Sequence, residues 1–267
     1  MNLPRFFGEF NFSNKKLRIV NPELLNQLKN VLRLGKGGRL ILCDGNLNEA
    51  VVSLLSLEKG FAEVEILEVR TNGNEPDVQV TLYCSILKKE NFELATQKAT
   101  EVGVSQIAPI ISKRTVKLNF KEDRLRKIIK EAAEQSGRGR LPSLRSPLDF
   151  QSALDAAKEN DANLFFDPAG EKIPRLIATP FLPAGRQVRK GEKSLTASGP
   201  LPLQKGEDKL SGKKIGIFIG PEGGWDEAEI ALARERKFKI ISLGKLTQRA
   251  ETAAIVVSYL IAQHFTK

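Results

Sequence analysis

The chain has 267 residues, 41% hydrophobic and 28% charged, which excludes a disordered polypeptide and allows two domains with cores of their own. Its net charge of +10 raises the expectation of a nucleic-acid partner, and the surplus is regional: residues 113–145 hold eleven Lys/Arg against four Asp/Glu, and 179–214 eight against three. One histidine and two distant cysteines exclude a zinc cluster, so no metal is expected, and Cys43 and Cys84 read as buried free thiols.

No signal peptide opens the chain and no apolar run approaches a membrane span. A reducing cytoplasm and no membrane partner are the expectation.

Residues 1–70 read as β-rich. Strands at Arg39 to Cys43 and Ala50 to Leu55 flank Asp44-Gly45, a hairpin signal, and Phe61 to Val69 alternates as a further strand. Pro22 to Leu32 reads as the one helix of this small barrel. Arg5, Phe6, Phe7, Arg18 and Arg33 mix basic and aromatic types. Single-stranded RNA is held by that mix, and an arginine rim around core phenylalanines has the same composition.

Residues 71–77 contain Asn-Gly, Asn and Pro and read as a linker. Strand and helix signals then alternate through 78–267. Val78, Val80, Leu82, Cys84 and Ile86 form one strand face. Glu93 to Val102 is a helix with Ala95, Ala99 and Val102 on one side. Ile107 to Ile111 is a strand, and Asp123 to Ser136 a helix with a basic outer face. That face is either a phosphate contact or an ordinary solvated surface. Leu164 to Asp167 is the next strand. Lys172 to Ala178 reads as the remnant of a crossover helix. Thr179 to Gly212, rich in Pro, Gly, Ser, Lys and Arg, reads as a flexible basic insertion.

Ile215 to Ile219 is an unbroken apolar run, as expected of a strand buried on both faces. Gly220, Pro221, Glu222, Gly223, Gly224 and Trp225 follow it. Asp226 and Glu229 are then spaced as an N-cap and its return partner, opening a helix. Lys239 to Leu243 is the last strand, and Arg249 to Phe265 the last helix, with Ala253, Val256, Val257, Leu260, Ile261 and His264 on one stripe. Alternating strands and helices imply a mostly parallel sheet covered on both faces.

The glycines stand at a strand-to-helix turn, where open α/β sheets bind ligands, although ordinary turns use the same residues. Neither Gly-x-Gly-x-x-Gly nor a P-loop ending occurs, and no lysine lies within the turn, so its ligand need not carry phosphate. A Ser-His-Asp system would have to use His264, and no nucleophile elbow is present. Three polar clusters remain. Glu93, Gln97 and Glu101 share a helix face beside Lys98. Glu134 to Arg138 lies at a helix end. Leu243-Gly244 through Arg249-Ala250-Glu251-Thr252-Ala253 spans a strand-to-helix connection. The third cluster and the glycine turn are on consecutive connections and should open at the same sheet edge.

Four segments together resemble the RsmE family of the SPOUT superfamily, the 16S rRNA (uracil(1498)-N(3))-methyltransferases. They are Gln97-Lys98-Ala99-Thr100-Glu101-Val102-Gly103-Val104, Glu134-Gln135-Ser136-Gly137-Arg138, Gly220-Pro221-Glu222-Gly223-Gly224-Trp225, and Leu243-Gly244 through Arg249-Ala250-Glu251-Thr252-Ala253. Pro4-Arg5-Phe6-Phe7 and Val31-Leu32-Arg33-Leu34 match as well. The likeness covers nearly the whole chain apart from 179–212. It departs from the family at Lys245-Leu246-Thr247-Gln248-Arg249, where Arg-Ile-Leu-Arg is usual.

The resemblance implies an α/β SPOUT-type sheet with a C-terminal trefoil knot, which periodicity alone would not suggest because knots are rare. It also implies a preceding PUA-like β-barrel, a homodimer, and S-adenosyl-L-methionine as methyl donor. The expected donor site is Gly220, Pro221, Glu222, Gly223, Gly224, Leu243, Gly244, Leu246, Glu251, Thr252 and Ala253. Arg249 is the expected catalytic residue, stabilising the anion left when uracil N3 loses its proton. Arg5, Arg18, Arg33, Arg114, Arg126, Gln135 and Arg138 are the expected contacts to 16S rRNA of the small ribosomal subunit. Two alternatives share much of this pattern: a SPOUT methyltransferase acting on another rRNA or a tRNA, and a catalytically silent RNA-binding assembly factor.

Overall fold

The computed structural model describes residues 3–116, 120–172 and 213–264. The expected insertion 179–212 lies outside them. The chain divides into two compact units, Met1–Glu75 with Asp123–Pro142, and Pro76–Glu122 with Ser143–Lys267.

The first unit is built on a five-stranded sheet in the order β1 (Arg5–Phe7), β3 (Arg39–Cys43), β4 (Asn48–Leu57), β5 (Ala62–Thr71), β2 (Lys16–Ile19). β3 and β4 pair antiparallel from Arg39 opposite Ser53 to Cys43 opposite Glu49, so the expected hairpin forms. Asp44 Oδ1 accepts from the amides of Asn46 at 2.7 Å and Asn48 at 3.1 Å and holds the turn closed. Strands β1 and β2 are only three and four residues long and went unread in the sequence. Phe6 and Phe7 of β1 are both buried, each on its own side. The expected helix from Pro22 is split. α1 (Pro22–Asn26), capped by the Asn21 side chain, gives way to a π-turn over Gln27–Val31 closed by Leu32 N donating to Gln27 O at 2.9 Å.

The two faces of β3 explain why 123–142 belongs to this unit and not to the second domain, where the sequence expectation put it. Leu40 and Leu42 enter one core, whereas Ile41 and Cys43 face the other way. Ala133 of α3 (Glu122–Ser136) covers that second face beside Phe7. Glu134 accepts from the Phe7 amide at 3.0 Å, fastening the helix to β1. The expected linker 71–77 is likewise held over most of its length. Thr71 ends β5. Asn72 is buried and donates to Glu49 at 2.8 Å and to Gly137 O at 3.1 Å.

The second unit holds a seven-stranded sheet with every pairing parallel, in the order β12 (Lys239–Ser242), β10 (Ala162–Lys172), β11 (Lys214–Ile219), β6 (Gln79–Ser85), β7 (Gln106–Ile111), β8 (Ser143–Leu144), with β9 (Leu148–Asp149) also on β7. The parallel α/β expectation is met. β8, β9 and the following α4 (Phe150–Ala156) went unread because two-residue strands carry no period. Lys172, expected in a helix, instead ends β10, and 173–178 lie outside the described residues.

Tyr83, Phe165 and Phe218 stack on one sheet face, Tyr83 and Phe218 at 4.4 Å between centroids, under α4 and α5 (Glu227–Glu235). α6 (Ala250–His264) lies along α2 (Lys89–Glu101) and against β6 and β11. Its buried stripe includes Ala254, Val257, Ser258 and Ile261. Val256, expected in the core, is partly exposed. The helix is apolar nearly all round, so its sequence does not fix which side turns inward.

Candidate donor site at the carboxyl edge of the sheet

The register aligns the strand ends. Phe166 is opposite both Ile219 and Ile241, and Ile219 is opposite Cys84. The connections after β6, β11 and β12 therefore open at the carboxyl edge beside residues 166–168 of β10. They enclose a cavity of about 760 Å3. Its wall includes Gly220, Pro221, Glu222, Gly223 and Gly224 from one turn and Leu243, Gly244, Leu246, Arg249, Glu251 and Ala253 from the other. The two connections expected to meet do meet. Thr252, the remaining expected donor residue, is exposed and outside the wall.

Local chemistry fixes the glycine turn. The Asp226 and Glu229 capping box forms as expected, with Glu229 Oε2 accepting from the Asp226 amide at 2.9 Å. Glu222 Oε1 accepts from the Lys88 amide at 2.9 Å, tying the turn to the start of α2. The buried Trp225 indole donates to Phe166 O at 3.0 Å and lies 4.5 Å from the Phe165 ring. Gly244, with φ of 131°, adopts a backbone angle that side-chain-bearing residues rarely take, at the point where the chain leaves β12.

Several wall residues went unread in the sequence. Phe166, Asp167 and Pro168 enter through a bulge in β10, where the partner register shifts between Phe166 and Glu171. The Asp-Pro-Ala-Gly sequence at 167–170 was the available signal. Gly170 permits the bulge, because a Cβ there would stand 2.6–2.8 Å from the backbone of Ile240 and Ile241. Lys88 and Asn91 at the start of α2 also line the cavity.

Charge in the wall is unequally exposed. Arg249 is 84% exposed by side chain at the mouth, and Leu246 is 81% exposed. Glu251 is 6% exposed. Its Oε1 is 4.0 Å from Arg249 Nη1, and its Oε2 has no hydrogen-bond partner. Cys84 beneath the site is fully buried. Burial first, then the carboxylates Glu222 and Glu251, push its thiol far above the ordinary range, so it is inert. Among the described residues no cluster could hold a metal ion, and no helix is long and apolar enough to cross a membrane.

The residues expected at RNA separate into two kinds. Arg5 pairs with the buried Glu49 and donates to Cys43 Sγ at 3.2 Å. Arg138, 4% exposed, makes a two-pronged pair with Glu75, at 3.1 Å through Nε and 2.6 Å through Nη2. Both arginines are thus internal ties of the first unit, against their expected place on an RNA surface. Burial opposes ionisation of Glu75, but the Arg138 bonds and charge and the amides of Arg140 and Gly139 outweigh it, holding its carboxyl below the usual range. Arg18, Arg33, Arg126 and Gln135 are exposed. Arg18 lies 3.7 Å over the Phe61 ring, and Arg33 holds a left-handed backbone with φ of 51°. Arg114 of the second unit donates to Gly223 O at 3.0 Å and so braces the glycine turn.

Residues 74–262 match the RNA methyltransferase domain family. The chain is 32% identical over 207 residues to ribosomal RNA small subunit methyltransferase E of Mesomycoplasma hyopneumoniae, spanning 76% of this chain and 77% of that one. It is 31% identical over 237 residues to the protein of the same name from Synechocystis, spanning 87% and 68%. The crystal structure of ribosomal RNA small subunit methyltransferase E from Neisseria gonorrhoeae bound to S-adenosyl methionine superposes with a TM-score of 0.77 at 28% identity, over 98% of both chains.

Proposed function

Because the chain belongs to the RNA methyltransferase family, and within it to ribosomal RNA small subunit methyltransferase E, we propose that it methylates N3 of one uridine in 16S rRNA with S-adenosyl-L-methionine as donor. The observation that carries this reading is the meeting of the 220–225 and 243–251 connections in one cavity at the carboxyl edge. The wall fits the donor. Phe166, Ile219, Ile241 and Leu243 offer an apolar surface for a base, the glycine turns expose main-chain groups for its polar edges, and no phosphate cradle is present. Bound there, the donor supplies a methyl group already activated on a sulfonium.

The chain's own part is alignment and charge. The glycine turn, tied at Lys88 through Glu222 and at Arg114 through Gly223, holds its main chain in a fixed shape. Arg249 stands charged at the cavity mouth, where an anionic uracil N3 would be offset. Uracil N3 is paired in a duplex, so the target base must be unpaired or turned out of its stack.

The reading extends to architecture and setting. A trefoil knot is supported by the strand order β12-β10-β11-β6 and by α6 returning against α2, together with the family likeness. A PUA-like role for the first unit is supported by its small antiparallel sheet and by exposed Arg18, Arg33 and Arg126. A homodimer and a cytoplasmic place of action, on the small ribosomal subunit, belong to the same reading.

The test is methyl transfer from S-adenosyl-L-methionine to small subunits isolated from cells lacking this methyltransferase activity, followed by nuclease mapping and mass spectrometry. One N3-methyluridine in 16S rRNA is expected. A ribose methyl or no methyl on any RNA contradicts the proposal.

A further inference from the structure

Among the described residues three buried side-chain polar atoms lack a hydrogen-bond partner: Thr96 Oγ1, Ser258 Oγ and Glu251 Oε2. Only the last belongs to an ionisable group, and only it belongs to the cavity wall. Its Oε1 has only the exposed Arg249 guanidinium, 4.0 Å away, and its Oε2 has no hydrogen bond, so a carboxylate taken out of water here is compensated only in part. The other charged groups of the wall are different. Lys88, Glu222, Lys245 and Arg249 are exposed, where water screens them. Asp167 is half-buried and accepts from the Ala169 amide at 2.8 Å. Glu251 is therefore the least hydrated charge of the wall, offset only by the solvent-screened Arg249 guanidinium. It reaches the interior below as well, since it helps push the Cys84 thiol upward.

The donor and its product differ in charge. S-adenosyl-L-methionine carries a positive sulfonium, which becomes a neutral thioether when the carbon–sulfur bond breaks and its electron pair stays on sulfur. We propose that Glu251 selects the charge state of the occupant: its field favours the cationic donor and ceases to hold the neutral product, so methyl transfer itself triggers release. Oε2 is closed off from solvent and acts through its field, without touching the ligand. Glu251 is thus a positioning and selecting residue. The inference rests on the donor reading given above.

The experiment is titration calorimetry of the full chain and its Glu251→Gln variant with three ligands. These are S-adenosyl-L-methionine, S-adenosyl-L-homocysteine, and sinefungin, whose amine replaces the sulfonium methyl and restores the positive charge. Glu251→Gln should weaken the two cationic ligands on the order of tenfold while moving the neutral one by less than about twofold. Glu251→Asp keeps the charge and should keep the discrimination. An equal loss for all three ligands would show a contact to a group they share, and unchanged affinities would show no role; either overturns the proposal. The unaltered chain gives a separate reading, because it must bind sinefungin more tightly than S-adenosyl-L-homocysteine, and the reverse order also overturns it. Binding of all three without preference sinks this inference alone, whereas binding of none sinks the donor site.

Discussion

Arg249 and Arg138 are both arginines expected to serve RNA chemistry, and their surroundings part them. Arg249 is exposed at the cavity mouth, with Glu251 Oε1 4.0 Å from its Nη1. Arg249→Lys should leave donor affinity unchanged within about twofold. It should lower single-turnover transfer about tenfold to a hundredfold, roughly one oxyanion-type interaction at an open site. The rate should partly recover as pH rises and N3 loses its proton more readily, read by quench-flow against pH. Arg138 is buried against the half-buried Glu75, so Arg138→Ala removes that carboxylate's charged partner and leaves it only the Gly139 and Arg140 amides. It should destabilise the first unit by about 1.5–3 kcal/mol, seen in thermal unfolding.

The carboxyls of that unit also give its pH dependence a sign. Burial opposes the ionisation of Glu49, yet hydrogen bonds from Arg5, Asn72 and Arg70 outweigh it, and Glu75 is lowered in the same way. Both stabilise fully above the ordinary glutamate value of about 4.3, and that contribution is lost as pH falls through their lower folded values. Glu134 goes the other way. Burial raises it and the Phe7 amide offsets only part, so its share is present below about 4.3 and lost as pH rises through its folded value. Thermal unfolding from pH 7 to 3 should therefore show a gentle gain and then a steep loss. Glu75→Gln should soften the acid loss, and Glu134→Gln should flatten the gain; curves unchanged in shape would contradict these assignments.

At the scale of elements, the cavity depends on how β10 leaves the sheet. Its bulge brings Asp167 and Pro168 into the wall, and the Trp225 indole fastens it at Phe166 O. Trp225→Phe keeps an aromatic side chain but removes that hydrogen bond, costing about 0.5–1.5 kcal/mol. Gly170→Ala places a methyl against the Ile240–Ile241 backbone and should cost about 1–3 kcal/mol as β10 and β12 move apart. Both variants should weaken donor binding in calorimetry while remaining folded. Loss of stability with unaltered donor affinity would mean that the bulge does not shape the site.

For the whole molecule, the charge of +10 predicts RNA binding that weakens steeply with salt, by roughly 0.9 in the log–log slope for each phosphate neutralised. Arg33→Ala should reduce that slope with little change in unfolding temperature. Arg5→Ala should do the opposite, because its guanidinium is engaged by Glu49. A flat salt dependence of the intact chain, measured by filter binding, would remove the electrostatic reading.

The sequence by itself determined the parallel α/β class, the Asp44-Gly45 hairpin, the Asp226–Glu229 capping box and the convergence of the two glycine-bearing connections. Each is a local rule of period, turn chemistry or chain order, and each acts within a few residues or between successive elements. Tertiary structure decided what local rules do not reach. The basic helix α3 joins the first unit because Ala133 fills the face left open by Ile41 and Cys43. Arg5 and Arg138 became internal ties because Glu49 and Glu75, 44 and 63 residues away along the chain, meet them in the fold. Glu251 acquired its poorly hydrated charge in the same way. Its place in the first turn of α6 was legible from its neighbours, but the loss of water around its carboxylate depends on every segment packed over it.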